Sequence, residues 1–369
     1  MRVRLGASGV LVCLVTAWTL FAGGCNGSKE SSSTAEHTSK RAIDAAIVPN
    51  ADFVIRIDIN AIRQAPIIKQ LEKVQGSAIE TKPAYEKFRQ ATGLTKDDVQ
   101  AIVVSANTTN FDFANGAAQT SLPQMIGVAA IELGKRLTMD KLIEGLKIIL
   151  DDSKATISKF DIEGIQAVLI QPTKPDGPSA YAATSSDAKT VYIAFNKASL
   201  QAALQREKKG VMVTNPSKLQ ALSNPASQAN LAFVAPQGLR DKVQAQLSKS
   251  QESPGGAMLS GFIAPFKDLQ SVSLGMNWDT GMQLNIAGDL GTAQAATQVA
   301  ALIQTMGMPM LKKYAAKSSG KRSLNLDDQF KVSAEDAVLR ISLRFTGKDI
   351  QAYRKTKDKA KTAALSHQQ

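Results

Sequence analysis

The chain of 369 residues reads as an α+β protein: two similar modules of antiparallel sheet with helices packed on one face, a ferredoxin-like grammar. Strand-like alternation recurs along it, amphipathic helical stretches fall between the strands, and the order of elements seen before a polar joint near 208–218 returns after it. The expected organisation is a leader over 1–24, an anchor and tether over 25–44, a first module over 45–208, a second over 209–355 and a basic flexible tail over 356–369.

The elements of the first module come in order. Phe53, Ile55, Ile57 and Ile59 alternate with Val54, Arg56 and Asp58, the mark of a strand with one buried face. Asn60 can cap the helical stretch after this strand, and Pro66 suits the first turn of a helix carrying Ile67, Ile68, Leu71 and Val74 as far as Gly76. A further helix near Lys82 to Thr92 stops at Gly93. Strands are predicted near 99–106 (VQAIVVSA) and 125–132 (MIGVAAIE), and Thr138 or Asp140 can start the amphipathic helix that runs to Leu150. Two more strands, ISKFDIEGIQAVLIQP and TVYIAF, lead to a helix from Lys197.

The same order then returns. ANLAFVAPQGLRDKV (229–243) is strand then helix, echoing ADFVIRIDINAIRQ (51–64). Val272, Leu274, Met276 and Trp278 alternate, Asp279, Thr280 and Gly281 turn the chain, and Met282, Leu284 and Ile286 return it as a hairpin. A helix from Thr292 to about Met306 comes next, then the strand AVLRISLRF and the segment KDIQAYRK. Setting FNKASLQAA (195–203) beside FTGKDIQAY (345–353) aligns Phe195 with Phe345, Leu200 with Ile350, Gln201 with Gln351 and Ala202 with Ala352.

The runs FDIEGIQAVLIQP, AYAATSSDAKTVYIAFNKASLQAAL and NPSKLQALSNPASQANLAFVAP resemble a module of uncharacterised exported bacterial proteins. There an aromatic-x-x-x-Gly-aliphatic strand, a hairpin, a Ser-Leu-x-Ala-Ala-Leu helix and a strand entering the next module succeed one another. The resemblance covers most of residues 45–245. It implies an exported, duplicated α+β architecture and brings no catalytic residue with it.

The N-terminal end carries its own signal. Arg2 and Arg4 precede an uncharged stretch that lasts until Lys29, and Val10 to Ala22 within it is almost wholly apolar. A basic start, a short apolar core and small residues before a break define an export leader, and this core is shorter than the roughly 20 residues a spanning helix needs. Ala22, Gly23 and Gly24 lead to Cys25, so cleavage after Gly24 and diacylglycerol transfer to Cys25 are expected. Ala22 stands where such lipoprotein signals commonly have Leu, and an ordinary signal peptidase could cut the same bond. Asn26 after the Cys favours the outer over the inner membrane. Residues 26–40 (NGSKESSSTAEHTSK) suit a flexible tether.

The inventory restricts the chemistry. Cys13 leaves with the leader, so Cys25 is the one cysteine of the expected mature chain, which can form no internal disulfide. The histidines are His37 in the tether and His367 near the end. A Ser-His-Asp triad, a Cys-His dyad, a structural zinc site and a CxxC pair therefore lack their parts. The acid pairs Asp97-Asp98, Asp151-Asp152 and Asp327-Asp328 suit turns and helix caps. The glycine cluster PGGAMLSGF (254–262) lacks the Gly-Lys-Ser/Thr ending of a phosphate loop. No cofactor and no catalytic residue is expected, although a Ser-Lys, carboxylate or lysine site is not excluded by composition.

Net charge is +12. Lys312, Lys313, Lys317, Lys321 and Arg322 cluster without an acid between them, and they could meet anionic envelope lipid or polymer beside a lipid anchor, or form a solvated helix face. Nucleic acid is not expected as a partner: aromatic residues make up 5% of the chain, too few for base stacking, and the compartment is wrong. Met306, Met308 and Met310 recur at every second position; thioethers suit copper(I), and they equally suit gap-filling in a core. Three functional readings remain: a non-enzymatic envelope protein held by its lipid, a carrier or sensor of a small apolar or metal ligand between the modules, and a hydrolase using carboxylates or lysine.

Overall fold

The computed structural model describes residues 43–49, 51–75, 83–107, 126–150, 155–173, 179–211, 227–235, 240–241, 245, 269–309 and 326–349. These form an α+β structure dominated by antiparallel strands, divided into two compact units. The first holds the described residues up to Gln64 and from Lys69 to Val211. The second holds Ala65–Ile68 and the described residues from Ser227 onward.

In the first unit β1 (Phe53–Asp58) leads into α1 (Ile59–Gln64). The cap there is Asp58, whose carboxylate accepts from the Ala61 amide at 2.7 Å, and not Asn60, which lies inside the helix. α2 (Pro66–Gln75), whose residues up to Ile68 are counted with the second unit, starts at a proline, which loses nothing where no intrahelical partner exists for its nitrogen. α3 (Pro83–Thr92) ends at Gly93, whose φ of 73° places it in the left-handed region a side chain would strain. A 3-10 turn at Lys96–Asp98 comes next, and the Asp98 carboxylate caps it by accepting from the Thr95 amide and hydroxyl. Buried Arg63 fastens this turn to α1 by donating to the carbonyls of Lys96, Asp97 and Val99.

β2 (Val99–Asn107) pairs with β1, and β3 (Ile126–Leu133) pairs with β2. After α4 (Met139–Leu150) the segment expected to be one strand is two, β4 (Ala155–Ile162) and β5 (Ile165–Pro172). Glu163 and Gly164, with φ of 53° and 84°, turn the hairpin between them. β6 (Ala180–Thr184) and β7 (Thr190–Ala194) bring the chain back, so the strand order is β1-β2-β3-β7-β6-β5-β4. α5 (Lys197–Lys209) is capped by Asn196, which accepts from the Ser199 amide, and closed by Gly210.

Helices cover both faces of this unit, which corrects the expectation of one. Successive side chains of a strand point to opposite faces. On β4, Lys159 reaches Asp140 at the start of α4 at 2.7 Å, while its neighbour Phe160 lies beneath Lys197 of α5, 5.3 Å from the ring centre. The middle strands agree: every residue of β7, and Gly127 to Leu133 of β3, is buried. Such strands need cover on both sides. Leu142 and Leu146 of α4 and Leu200 and Leu204 of α5 are among the buried residues. Buried Tyr192 sits under α5, and burial, followed by the nearby Glu207 carboxylate, raises its phenol far above the usual range.

In the second unit β8 (Ala229–Val234), β9 (Ser271–Trp278) and β10 (Gly281–Asp289) form a meander, followed by α6 (Ala293–Leu302). β11 (Phe330–Glu335) and β12 (Val338–Thr346) close the unit, with β12 beside β10 and the order β8-β9-β10-β12-β11. The core gathers under α6: Leu290, Ala296, Val299, Ala300 and Leu339, with Val332, Ala334 and Ile341 packed on it. Two local correspondences link the units. Glu132-Leu133-Gly134 ends β3 and Asp289-Leu290-Gly291 ends β10, each with a fully buried leucine. After the last strand of each, Asn196 accepts from the Ser199 amide and Thr346 from the Asp349 amide.

Candidate functional site

The groove that stands out lies in the second unit, where α6 meets β11. α6 does not stop at a cap. It runs on into a π-turn over Ile303–Gly307, and the wider winding of such a turn breaks the regular helical face, as is common where a helix serves a site. Gln304 in this turn donates from Nε2 to the carbonyl of Val332 at 3.2 Å. A groove of about 620 Å³ opens beside this contact, lined by Gln304, Met308, Pro309, Phe330, Lys331, Val332 and Ser333.

Four of those residues are consecutive in β11. Phe330 and Val332 face the α6 side, whereas Lys331 and Ser333 face the other. A groove touching all four must run along the edge of the strand and include its backbone. Among the described strands, β11 has one neighbour, β12. The lining is apolar toward α6, with Met308, Pro309, Phe330 and Val332, and carries one ammonium, one amide and one hydroxyl. That set suits binding by shape and hydrogen bonding.

The residues singled out from sequence fall unevenly on this picture. Met306 lies in the π-turn and Met308 in the groove, both half-buried; Met310 lies outside the described residues. Helical winding turns residues two apart by roughly 200°, so Met306 and Met308 leave the helix on opposite sides. The period of two would bring them together only in an extended strand. Gly24, Cys25, Lys312, Lys313, Lys317, Lys321 and Arg322 lie outside the described residues, as does the Asp151-Asp152 pair. Among the described residues, no three of His, Cys, Asp and Glu gather to hold a metal ion, and no helix is long and apolar enough to cross a membrane.

Gln304 and residues 330–333 were not singled out from sequence. FKVSAE does alternate, and it precedes the two-residue turn Asp336-Ala337 that joins it to the expected strand. That turn was the available signal, with Asp336 at φ 50°. Compared with known proteins, the chain matches no family model, no curated protein and no solved structure.

Proposed function

We propose that the chain is an exported, extracytoplasmic lipoprotein anchored to a membrane, the outer membrane in preference to the inner, through Cys25 and tethered by residues 26–40, because Ile43 and Ala45 are already buried in the folded body, and that this body is a non-enzymatic binding protein. The observation that carries the tether is the N-terminal pattern: Arg2 and Arg4, the apolar run Val10 to Ala22, and small residues leading to Cys25. The groove beside β11 supports binding as the task of the body, because its lining is mostly apolar and carries one ammonium, one amide and one hydroxyl. The body is a duplicated module. Three antiparallel strands, a helix, a returning last strand that pairs with the third, and a capped helix start succeed one another in each unit, the first having one additional hairpin.

The test is the intact mass of the N-terminal peptide from membrane-extracted protein, wild type beside Cys25→Ser. A diacylglycerol-bearing Cys25, with the variant lost from the membrane fraction, is the expected result. An unmodified terminus or a retained leader would remove the anchor.

A further inference from the structure

We infer that the outer edge of β11, beside which no described strand lies, is a docking site for an extended polypeptide segment that alternates apolar and acidic side chains and adds to the sheet as its next strand. The inference rests on the reading of the body as a binding protein and not on the lipid anchor.

Backbone parity identifies the groups on offer. A two-residue turn, Asp336-Ala337, joins β11 to β12, which makes Glu335 and Val338 a hydrogen-bonded pair. Counting back along the register, Ser333 with Arg340 and Lys331 with Ser342 are hydrogen-bonded pairs too. Phe330, Val332 and Ala334 therefore turn their amides and carbonyls away from β12. The contact from Gln304 agrees independently, since its amide reaches the Val332 carbonyl from that outer side. There a side-chain amide takes the place that the peptide N–H of a further strand would hold.

The two faces beside the edge define what the incoming strand must carry. On the α6 side its residues would meet Met308, Pro309 and Phe330, which asks for apolar side chains at alternate positions. On the other side lie exposed Lys331, Arg340 and Arg344, with Glu335 paired to Arg340 at 3.0 Å. Three cations against one acid ask for carboxylates at the intervening positions. Main-chain bonds to the Val332 amide and carbonyl would supply affinity, and the two alternating rows would supply register. Gln304 competes with the ligand for one carbonyl, so it regulates the site as well as shielding the edge from self-association.

The experiment uses the full chain and a fluorescent peptide of about six residues, the usual strand length, alternating valine and glutamate, read by anisotropy. Saturable binding is expected from the wild type. Val332→Pro removes the outward donor without touching the bonds to β12, and should weaken binding roughly tenfold, the worth of one good hydrogen bond. Lys331→Glu should weaken this peptide and strengthen its valine-lysine counterpart. Gln304→Ala should tighten it about threefold by freeing the Val332 carbonyl, an effect no merely structural role would produce. Circular dichroism checks each fold; should Val332→Pro fail to fold, the other two variants decide.

Absence of saturable binding overturns the proposal, and so does affinity indifferent to the folded variants. Concentration-dependent dimerisation of the chain that Val332→Pro abolishes, with the peptide unbound, would assign the edge to a second copy and overturn it as well. Cleavage of bound peptide, seen by mass spectrometry, would overturn the non-enzymatic reading while leaving strand addition standing.

Discussion

In the first unit β7 is buried along its whole length, and helices lie on both faces of the strands around it. In the second, β10 buries only Ala287 and Gly288, and most residues of β12 are half-buried or exposed. The strand orders β1-β2-β3-β7 and β8-β9-β10-β12 run alike, yet the burial differs. Among the described residues, the first unit concentrates its stability in side chains removed fully from water, while the second spreads it over backbone ladders and partial burial. A unit held in the second way can keep a groove and a strand edge open.

The widest contrast should come from paired truncations. Leu200→Ala, at a side chain with 0% exposure, is expected to cost about 3 kcal/mol, whereas Ile286→Ala on half-buried β10 should cost about 1.5 kcal/mol. Urea denaturation of the two variants measures this, and equal costs would break the comparison. Gly145→Ala comes next. Its new methyl would stand 2.6 Å from Thr92 Cγ2 and 2.8 Å from Phe88 Cε2, so α4 must move off α3 at a cost of about 2 kcal/mol, read as a lowered melting temperature. The corresponding caps sharpen the shared grammar. Asn196→Ala and Thr346→Ala should each lose about 1 kcal/mol, and a neutral Thr346→Ala would weaken the correspondence between the units.

The smallest effect is one of pH. Glu163, at the tip of the β4-β5 hairpin, accepts from the side-chain amides of Gln201 and Gln205 at 2.8 and 2.6 Å, and these bonds hold its carboxyl below the ordinary glutamate range. A lowered folded-state value means the interaction is fully present above the ordinary range and is lost as pH falls through the folded value. The Gln201 and Gln205 side-chain amide signals in NMR spectra should therefore stay constant from neutral pH down through the ordinary range and shift only at more acid pH. A shift at the ordinary glutamate value would show the hairpin tip undocked from α5.

Much of the local structure was legible in the sequence. Proline at Pro66, glycine at Gly93 and alternation from Phe53 to Ile57 act within a few residues, and the elements stand where those signals put them. What period-two alternation cannot show is cover on both faces. The continuous apolar runs of β3 and β7, GVAAI and VYIA, carried that information, because a strand with no polar side has no face to leave in water. The hairpin at Glu163-Gly164 was missed because a residue other than Asn or Asp holds the positive φ before the glycine. The groove was illegible for another reason. Gln304 and Val332 meet through a π-turn and a strand edge, and neither the added winding of a helix nor the identity of the outermost strand is written in local periodicity.

The placement of β12 bears on how the chain is made. It is the last strand described, yet it sits inside the second unit between β10 and β11, and β7 likewise arrives last in the first unit to lie between β3 and β6. The strand order of each unit thus stays incomplete on the ribosome until its last described strand has been synthesised, and the chain from Val128 to Ala194 must be brought back on itself, at an entropic cost, before β3 and β7 can pair. A nascent chain with this topology can complete neither unit before that unit's last strand is made, a delay that would serve the proposed export by leaving the chain threadable for longer.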